Sequence, residues 1–181
     1  SFFWTEFADN YIEMCKQRLY SQHGLGFETA RSTLYQVFIS VVKLFAPLLP
    51  FVTEEIYRGL FASSDGYVTV HHSRWPVSNP AWADPNAEMV GELLVEAATA
   101  VRRYKSEKNL SLGTELSAVK LAISTDGLVS VENRSLQENL LQATADLMSI
   151  TRAQHIEIVD MLPASSVNVN AGGRLNIALD L

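Results

Sequence analysis

Cysteine is almost absent from this sequence of 181 residues, and long apolar runs are missing altogether. The single cysteine, Cys15, has no partner for an internal disulfide, which suits the reducing cytoplasm. No apolar stretch approaches the roughly 18 residues that a membrane-spanning helix needs, and the chain does not open with a signal peptide. We therefore expect a cytoplasmic protein without a membrane partner.

Basic charge is also in short supply. The chain has 14 Lys and Arg against 20 Asp and Glu, which gives a net charge of −6. A dedicated nucleic-acid-binding protein is usually basic, so composition alone argues against this class, although it leaves room for a local basic patch. The hydrophobic fraction of 48% is that of an ordinary globular protein. With 181 residues, the chain is long enough for one domain or two small ones.

Patterns typical of catalysis are missing as well. His71 and His72 are adjacent, so on an extended segment they point to opposite faces and cannot bind one metal ion together. Cys15 lies on an apolar helix face, where a small core residue is a better interpretation than a nucleophile. Glu54 and Glu55 could pass for an acid/base pair, but they stand at a helix start, where stabilisation by the helix dipole already explains them. The sequence has no glycine-rich phosphate loop before a helix. We predict no catalytic residue, no metal site and no cofactor in this chain.

What the sequence does contain is helical periodicity. Trp4, Phe7 and Tyr11 belong to a wide apolar face of the first predicted helix, which indicates packing against more than one neighbour. The segment Tyr67–His71 alternates and is interpreted as a short strand or an extended crossing segment. The predicted helices cover residues 3–20, 28–45 and 50–61 and a segment that starts with Asp84-Pro85, a favourable pair of cap and first residue.

Two prolines divide the apolar stretch from Val41 to Leu60. Pro47 should end the second helix, and Pro50 is well placed as the first residue of the third. Because this stretch has almost no polar face, we predict that it is the buried centre of a helical bundle. Replacing Phe51 by Ala should then cost about 3–5 kcal/mol, as for a buried aromatic residue.

The periodicity changes in the last third of the chain. Alternating segments predict four strands, with one helix after the first of them, and the glycines before the last strand are a strong hairpin signal. The fold class is therefore α+β: a helical bundle (residues 1–115) followed by a small α/β unit (residues 116–181) with a C-terminal β-hairpin. The predicted segments are strands at 118–123, 155–159, 167–169 and 175–179, a helix at 136–147, and turns at 125–127 and 171–173.

Four cations cluster near the end of the fourth predicted helix: Arg102, Arg103, Lys105 and Lys108. Cations at this place are stabilised by the negative end of the helix dipole, which accounts for them without any ligand. In an acidic chain they also form a local positive patch that could contact phosphates. On the residues alone, we favour the first interpretation, a solvated helix end.

Three segments resemble a known family. Residues 3–16, Phe-Trp-Thr-Glu-Phe-Ala-Asp-Asn-Tyr-Ile-Glu-Met-Cys-Lys, resemble the W-x-E-F-x-D-x-Y-I-E-x-x-K helix of valyl-tRNA synthetases. Residues 44–57 are similar to the H-P-x-x-P-F-x-T-E-E-x-Y/W corner of the valine, isoleucine and leucine class I synthetases, with Ala46 where histidine is usual. Residues 100–110 are similar to the V-R-x-x-K/R-x-E segment that follows, and Trp75-Pro76 stands where these enzymes carry a W-P pair.

This resemblance implies an anticodon-binding domain, which holds the anticodon stem and loop of a tRNA. It also implies that the chain is part of a longer enzyme, because neither class I catalytic signature occurs in it and the helices that precede the first motif in the family are missing. The parent enzyme would use ATP and magnesium. Its catalytic domain and a valine tRNA would be the partners of this chain, and DNA would not.

Two places could bring cations to the phosphates of such a tRNA. One is the end of the first helix, with Lys16, Gln17 and Arg18, although Arg18 continues the apolar stripe and could equally bond within the bundle. The other is the cluster of Arg102, Arg103 and Lys105. The alternatives are a structural module that packs against its parent without RNA affinity and, with least support, an independent enzyme.

Overall fold

The N-terminal helix contains two kinds of turn. Residues Phe3–Tyr11 form a π-helix, at whose end the N–H of Ile12 donates to the carbonyl of Phe7, and helix α1 (Ile12–Tyr20) continues from it. The Asn10 side chain donates to the Thr5 carbonyl (2.9 Å), again five residues back, which supports the wide turn. The sequence pattern predicted one helix here but not its change of pitch.

The computed structural model describes residues 2–123, 130–162, 167–170 and 174–180. The chain divides into two compact units. We call residues 1–20 and 84–181 the split unit, and residues 21–83 the continuous unit. The domain boundary predicted near residue 115 stays a prediction. The residues directly before and after this position belong to the same unit, the split unit.

The continuous unit is helical. Its elements are α2 (Leu25–Phe45), α3 (Pro50–Leu60), α4 (Ala62–Asp65) and single 3-10 turns at Val70–His72 and Pro80–Trp82. Helix α2 ends just before Pro47, and Pro50 starts α3, as predicted. A small core forms where α2 packs against α3 and the first 3-10 turn; its buried members are Ile39, Val42, Ala46, Tyr57, Phe61 and Val70.

The predicted burial of the proline corner is wrong. Phe51 is 90% exposed, and Leu48 is 74% exposed. The buried stripe of this segment is Thr53, Tyr57 and Phe61, which follow one another at steps of four residues. Phe51 precedes the stripe by two residues and therefore lies on another face of α3.

The interpretation of Tyr67–His71 as a strand is also wrong. The Glu54 carboxylate accepts hydrogen bonds from the Thr69 hydroxyl (2.7 Å) and from the Val70 N–H (3.0 Å). The Thr69 hydroxyl in turn accepts from the N–H of His71 (3.3 Å). The backbone N–H groups of Val70 and His71 thus bond to side chains and not to a neighbouring strand, and the segment forms a turn.

The split unit joins helices to a mixed sheet. After the π-helix and α1, its elements are α5 (Pro85–Glu107), β1 (Leu116–Ile123), α6 (Ser130–Gln142), α7 (Thr144–Thr151), β2 (Ala153–Ile158), β3 (Val167–Asn170) and β4 (Leu175–Asp180). The strand order is β2-β1-β4-β3; β1 and β2 are parallel (Val119 opposite Ile156), whereas β4 is antiparallel to β1 and to β3. The α+β class and the C-terminal strands agree with the prediction, while both predicted turns, at 125–127 and 171–173, lie outside the described residues.

The helix predicted at 136–147 is in fact two helices. Helix α6 ends at Gln142, and α7 begins at Thr144. The Thr144 hydroxyl donates to the carbonyl of Leu141, and a threonine that bonds to the backbone in this way favours a break or a cap over a continuous helix.

Helix α5 covers the sheet. The Asp84 carboxylate caps its first turn by accepting from the N–H groups of Asn86 (2.9 Å) and Ala87 (3.2 Å), as its sequence predicts. Its predicted apolar face is buried: Val90, Leu94, Ala97, Val101 and Tyr104 are each at most 8% exposed. Helices α1, α6 and α7 complete the same core. No described helix is long and apolar enough to cross a membrane.

Candidate nucleic-acid interface

All six residues predicted to contact RNA lie in the split unit, on α1 or α5. They do not form one continuous exposed patch of cations. Their side chains differ in exposure and in the groups that they contact.

Lys16 and Gln17 are on the solvent side of α1. The Lys16 ammonium lies 2.5 Å from a carboxylate oxygen of Glu13, and both side chains are more than a third exposed. An exposed pair at this spacing contributes only a few tenths of a kcal/mol, so a phosphate could compete with Glu13 for Lys16. Gln17 is exposed. Its amide can both donate and accept hydrogen bonds, as base recognition requires.

Arg18 faces the interior of the unit. Its guanidinium makes a two-pronged ion pair with Asp146 on α7, with Nε–Oδ1 and Nη2–Oδ2 distances of 2.8 and 3.0 Å. Burial raises the pKa of Asp146, and the positive charge of Arg18 opposes that rise. The Ser149 hydroxyl also donates to the Glu13 carbonyl (2.7 Å). These contacts attach α1 to α7, so Arg18 bonds within the unit.

Arg102 connects α5 to the π-helix. Its Nη1 donates to the side-chain oxygen of Asn10 (2.9 Å), and its Nη2 donates to the Asp9 carbonyl (2.7 Å). Asn10 is only 4% exposed, so this is a well-defined acceptor and not a chance surface contact. Arg102 therefore sets the position of the N-terminal helix on α5.

Arg103 and Lys108 are exposed, whereas Lys105 is not. Lys105 is 1% exposed, and its ammonium donates to the carbonyls of Leu112 (3.1 Å), Thr114 (2.6 Å) and Thr151 (2.9 Å). Burial lowers the pKa of Lys105, and the nearby charge of Arg152 adds to this effect. This placement argues against a phosphate contact by Lys105.

One signal in the sequence could have shown the burial of Lys105. It follows Val101 by four residues and therefore lies on the same face of the helix as that fully buried side chain. The contact of Arg102 with Asn10 had no such signal, because it joins residues 92 positions apart in the chain.

The exposed side chains that remain are Lys16, Gln17, Arg103 and Lys108, together with acidic neighbours such as Glu13. This set suits weak, salt-dependent contact with phosphates and hydrogen bonding to a base. Within the described ranges, no group of three or more His, Cys, Asp or Glu side chains is placed to hold a metal ion.

Comparison with known families identifies the domain to which these residues belong. A model of the family described as the anticodon-binding domain of tRNA ligase matches residues 1–120. That range includes the π-helix, α1, the whole continuous unit and α5. It ends within β1, so the remaining strands and α6 and α7 lie beyond it.

Curated relatives give a second comparison. The chain is 40% identical over 160 residues to the valine–tRNA ligase of Methanopyrus kandleri, which covers 87% of this chain and 16% of that protein. It is 41% identical over 121 residues to that of Thermococcus kodakarensis (67% and 14%). It is 34% identical over 168 residues to that of Pyrococcus horikoshii (90% and 18%). The chain thus spans less than a fifth of the length of each of these relatives.

Proposed function

Because this chain belongs to the family of anticodon-binding domains of tRNA ligases, we propose that it binds the anticodon stem and loop of a tRNA through exposed side chains of α1 and α5. The family match over residues 1–120 carries this proposal, since it includes every residue predicted to contact RNA. The net charge of −6 means that binding depends on a few well-placed cations and not on a general positive field.

The side chains divide into two roles. Lys16 and Arg103 contact phosphates, and Gln17 faces bases of the unstacked loop, which is how single-stranded RNA is read. Arg18 and Arg102 act indirectly, because their ion pair and hydrogen bonds hold α1 on α7 and the π-helix on α5.

A salt titration of tRNA binding tests this proposal. For Arg103→Ala, we expect weaker binding to all tRNAs alike and a slope of log K against log salt lower by about one unit, as for one lost phosphate contact. For Lys16→Ala, we expect the same loss of slope and, in addition, altered discrimination among tRNAs, because the phosphate contact of Lys16 positions the neighbouring Gln17 against the bases of the loop.

Arg31→Ala is the matched control, since it removes a cation that is 69% exposed in the continuous unit. It should leave the slope unchanged. Unchanged slopes and affinities in the Lys16 and Arg103 variants would reject the proposal and favour a module that only packs against neighbouring domains.

We further propose that the chain is part of a valine–tRNA ligase, because the relatives carry that name. Aminoacylation by such an enzyme uses ATP and magnesium, bound in a catalytic domain that would be a second partner of this chain. A gel shift with valine tRNA against isoleucine tRNA tests the specificity. Equal affinities would contradict the valine assignment while leaving tRNA binding intact.

A further inference from the structure

The continuous unit contains a cleft of about 310 Å³ whose lining residues are outside the proposed RNA-contacting set of α1 and α5. It lies between the end of α2 and the 3-10 turn of residues 70–72 with the segment that follows this turn. This volume is near the lower end for small-molecule sites and fits a ligand the size of one nucleotide. The lining residues are Lys43, Ala46, Pro47, Val70, His71, Ser73, Arg74 and Trp75.

The cleft has an apolar floor and an aromatic side chain at its edge. Ala46 and Val70 are about 95% buried, whereas Trp75 is 58% exposed although its indole ring is large and apolar. Pro76 restricts the backbone of Trp75 to extended conformations, which limits the directions in which the side chain can leave the backbone. A flat apolar ring held beside a cleft is a surface on which another flat ring can stack.

The opposite side of the cleft is held in place before any ligand arrives. The Glu54 carboxylate binds the hydroxyl of Thr69 and the N–H of Val70, and the Ser73 hydroxyl donates to the Val70 carbonyl (2.7 Å). These bonds fix the turn that carries His71 and Ser73. A prearranged site loses less entropy on binding than a flexible one.

The mouth of the cleft favours anions. His71 and Arg74 are exposed there. Lys43 also lines the cleft, but its side chain is only 11% exposed and its ammonium is paired with Asp65 at 2.8 Å, so the attraction for an anion comes from Arg74 and His71. The continuous unit has as many acidic as basic side chains, so the acidic excess of the chain lies entirely in the split unit. The unit therefore has no net charge that would repel a phosphate approaching Arg74, and the two carboxylates bonded to lining residues, Glu54 and Asp65, are each engaged by hydrogen-bond donors.

We propose that this cleft binds one unpaired nucleotide of an RNA, with the base stacked on the Trp75 indole and its phosphate at Arg74 and His71. An aromatic side chain next to cations is the combination that holds single-stranded nucleic acid without reading its sequence. The inference rests on the proposed tRNA binding and adds to it a second contact, in the other compact unit.

Tryptophan fluorescence tests the stacking directly. In the 181-residue chain with Trp4→Phe and Trp82→Phe, Trp75 is the remaining tryptophan. Titration with a seven-nucleotide single-stranded RNA should quench its emission to saturation, while the duplex of the same RNA with its complement should quench far less. Absence of quenching by the single strand would overturn the proposal.

A second test compares the RNA affinities of variants at Trp75 and at Trp82. Trp75→Ala should weaken binding of the single strand and of tRNA about 5- to 150-fold, the range for loss of one stacked base. Trp75→Phe should retain most of the affinity. Trp82→Ala is the control, because Trp82 is 70% exposed in the same unit but does not line the cleft. Equal effects of Trp75→Ala and Trp82→Ala would also overturn the proposal.

Two further results complete the test. Arg74→Ala should lower the slope of log K against log salt by about one unit and leave the circular dichroism spectrum unchanged. This variant provides the test if Trp75→Ala does not fold. Normal tRNA binding by a folded Trp75→Ala variant would reject the cleft but leave the proposed function. If the chain binds no tRNA, the proposed function fails, and quenching of Trp75 by the single strand still decides for or against the cleft.

Discussion

The ammonium group of Lys105 donates hydrogen bonds to three main-chain carbonyl groups while its side chain is almost completely buried. Two acceptors, Leu112 and Thr114, follow α5 in the chain, and the third, Thr151, ends α7. A single side chain therefore fixes the path of the segment between α5 and β1 and attaches it to α7. A buried cation of this kind is tolerated because its donors are fully matched by acceptors.

Replacing Lys105 by Met should lower the free energy of unfolding by about 3 kcal/mol, because three carbonyl acceptors lose a charged donor at an almost completely buried position. Urea denaturation followed by circular dichroism measures this value. Lys108→Met is the control: Lys108 is exposed, and its replacement should change stability by less than about 0.5 kcal/mol. Equal effects of the two substitutions would mean that the Lys105 ammonium is in solvent, where it could contact phosphates.

Helix α3 and the residue that follows it show how an apolar sequence divides between core and surface. Phe61, 3% exposed, packs edge to face against Tyr35 (ring centroids 5.2 Å apart) and Phe38 (5.7 Å). Phe51 makes no comparable contribution to this core, since 90% of its surface is accessible. Ten residues apart, the two phenylalanines have opposite environments.

Phe61→Ala should therefore cost about 3–5 kcal/mol, and Phe51→Ala should change stability by less than about 0.5 kcal/mol. The physical reason is that only the first substitution leaves a cavity. Thermal and urea unfolding of both variants provide the measurement. A large loss in Phe51→Ala would contradict the exposed position of this side chain.

An acidic side chain connects three elements of the continuous unit. Asp65, at the end of α4, accepts from the Lys43 ammonium of α2 (3.0 Å) and from the Tyr57 hydroxyl of α3 (2.5 Å). Burial by itself would raise the pKa of Asp65, but these two donors outweigh burial and lower the pKa below its usual value. Burial and the same carboxylate raise the pKa of Tyr57, so that its hydroxyl stays protonated as the donor.

This pKa shift predicts acid sensitivity. Because the folded pKa is lower than the unfolded value of about 3.9, Asp65 stabilises the fold above pH 5 and loses that contribution as pH falls through the folded pKa. At pH 7, Asp65→Asn should cost about 1–2 kcal/mol. The gap between wild type and this variant, measured by urea unfolding between pH 7 and pH 3, should narrow below about pH 4. A constant gap would contradict the lowered pKa.

At the scale of the whole molecule, each compact unit has a hydrophobic core of its own. The larger core is built from α1, α5, α6, α7 and the sheet, all within the split unit. The smaller one belongs entirely to the continuous unit. The chain thus leaves the first core after residue 20 and returns to it at residue 84.

Because each unit has its own core, we expect a core substitution in one unit to destabilise that unit more than the other. Leu121 is fully buried in the sheet, and Leu121→Ala should cost about 2–5 kcal/mol. Hydrogen exchange should accelerate in β1, β4 and α5 but much less in α2 and α3, whereas Phe61→Ala should do the reverse. Equal acceleration throughout the chain in either variant would show that the two cores unfold as one cooperative unit.

Local patterns determined much of this protein. The periodicities of the sequence correctly predicted α2, α3, α5 and the approximate places of all four strands, because spacing along the chain records which face of an element is buried. The proline break and the Asp84 cap were also predictable, since each depends on residues within a few positions of one another. The motifs in residues 1–115 indicated the family for the same reason.

Tertiary structure decided what spacing along the chain could not. Phe51 stands among apolar neighbours, yet it is exposed because α3 packs against α2 and the first 3-10 turn through the face that carries Tyr57, and Phe51 lies on another face. The spacing from Val101 places Lys105 on the buried face of α5, but its charge is accommodated there because Thr151, 46 residues later, supplies an acceptor. The pairing of Arg18 with Asp146 spans 128 residues. Contacts between residues this far apart along the chain leave no regular spacing, so the candidate interface could be placed on α1 and α5 but not resolved into exposed and buried cations.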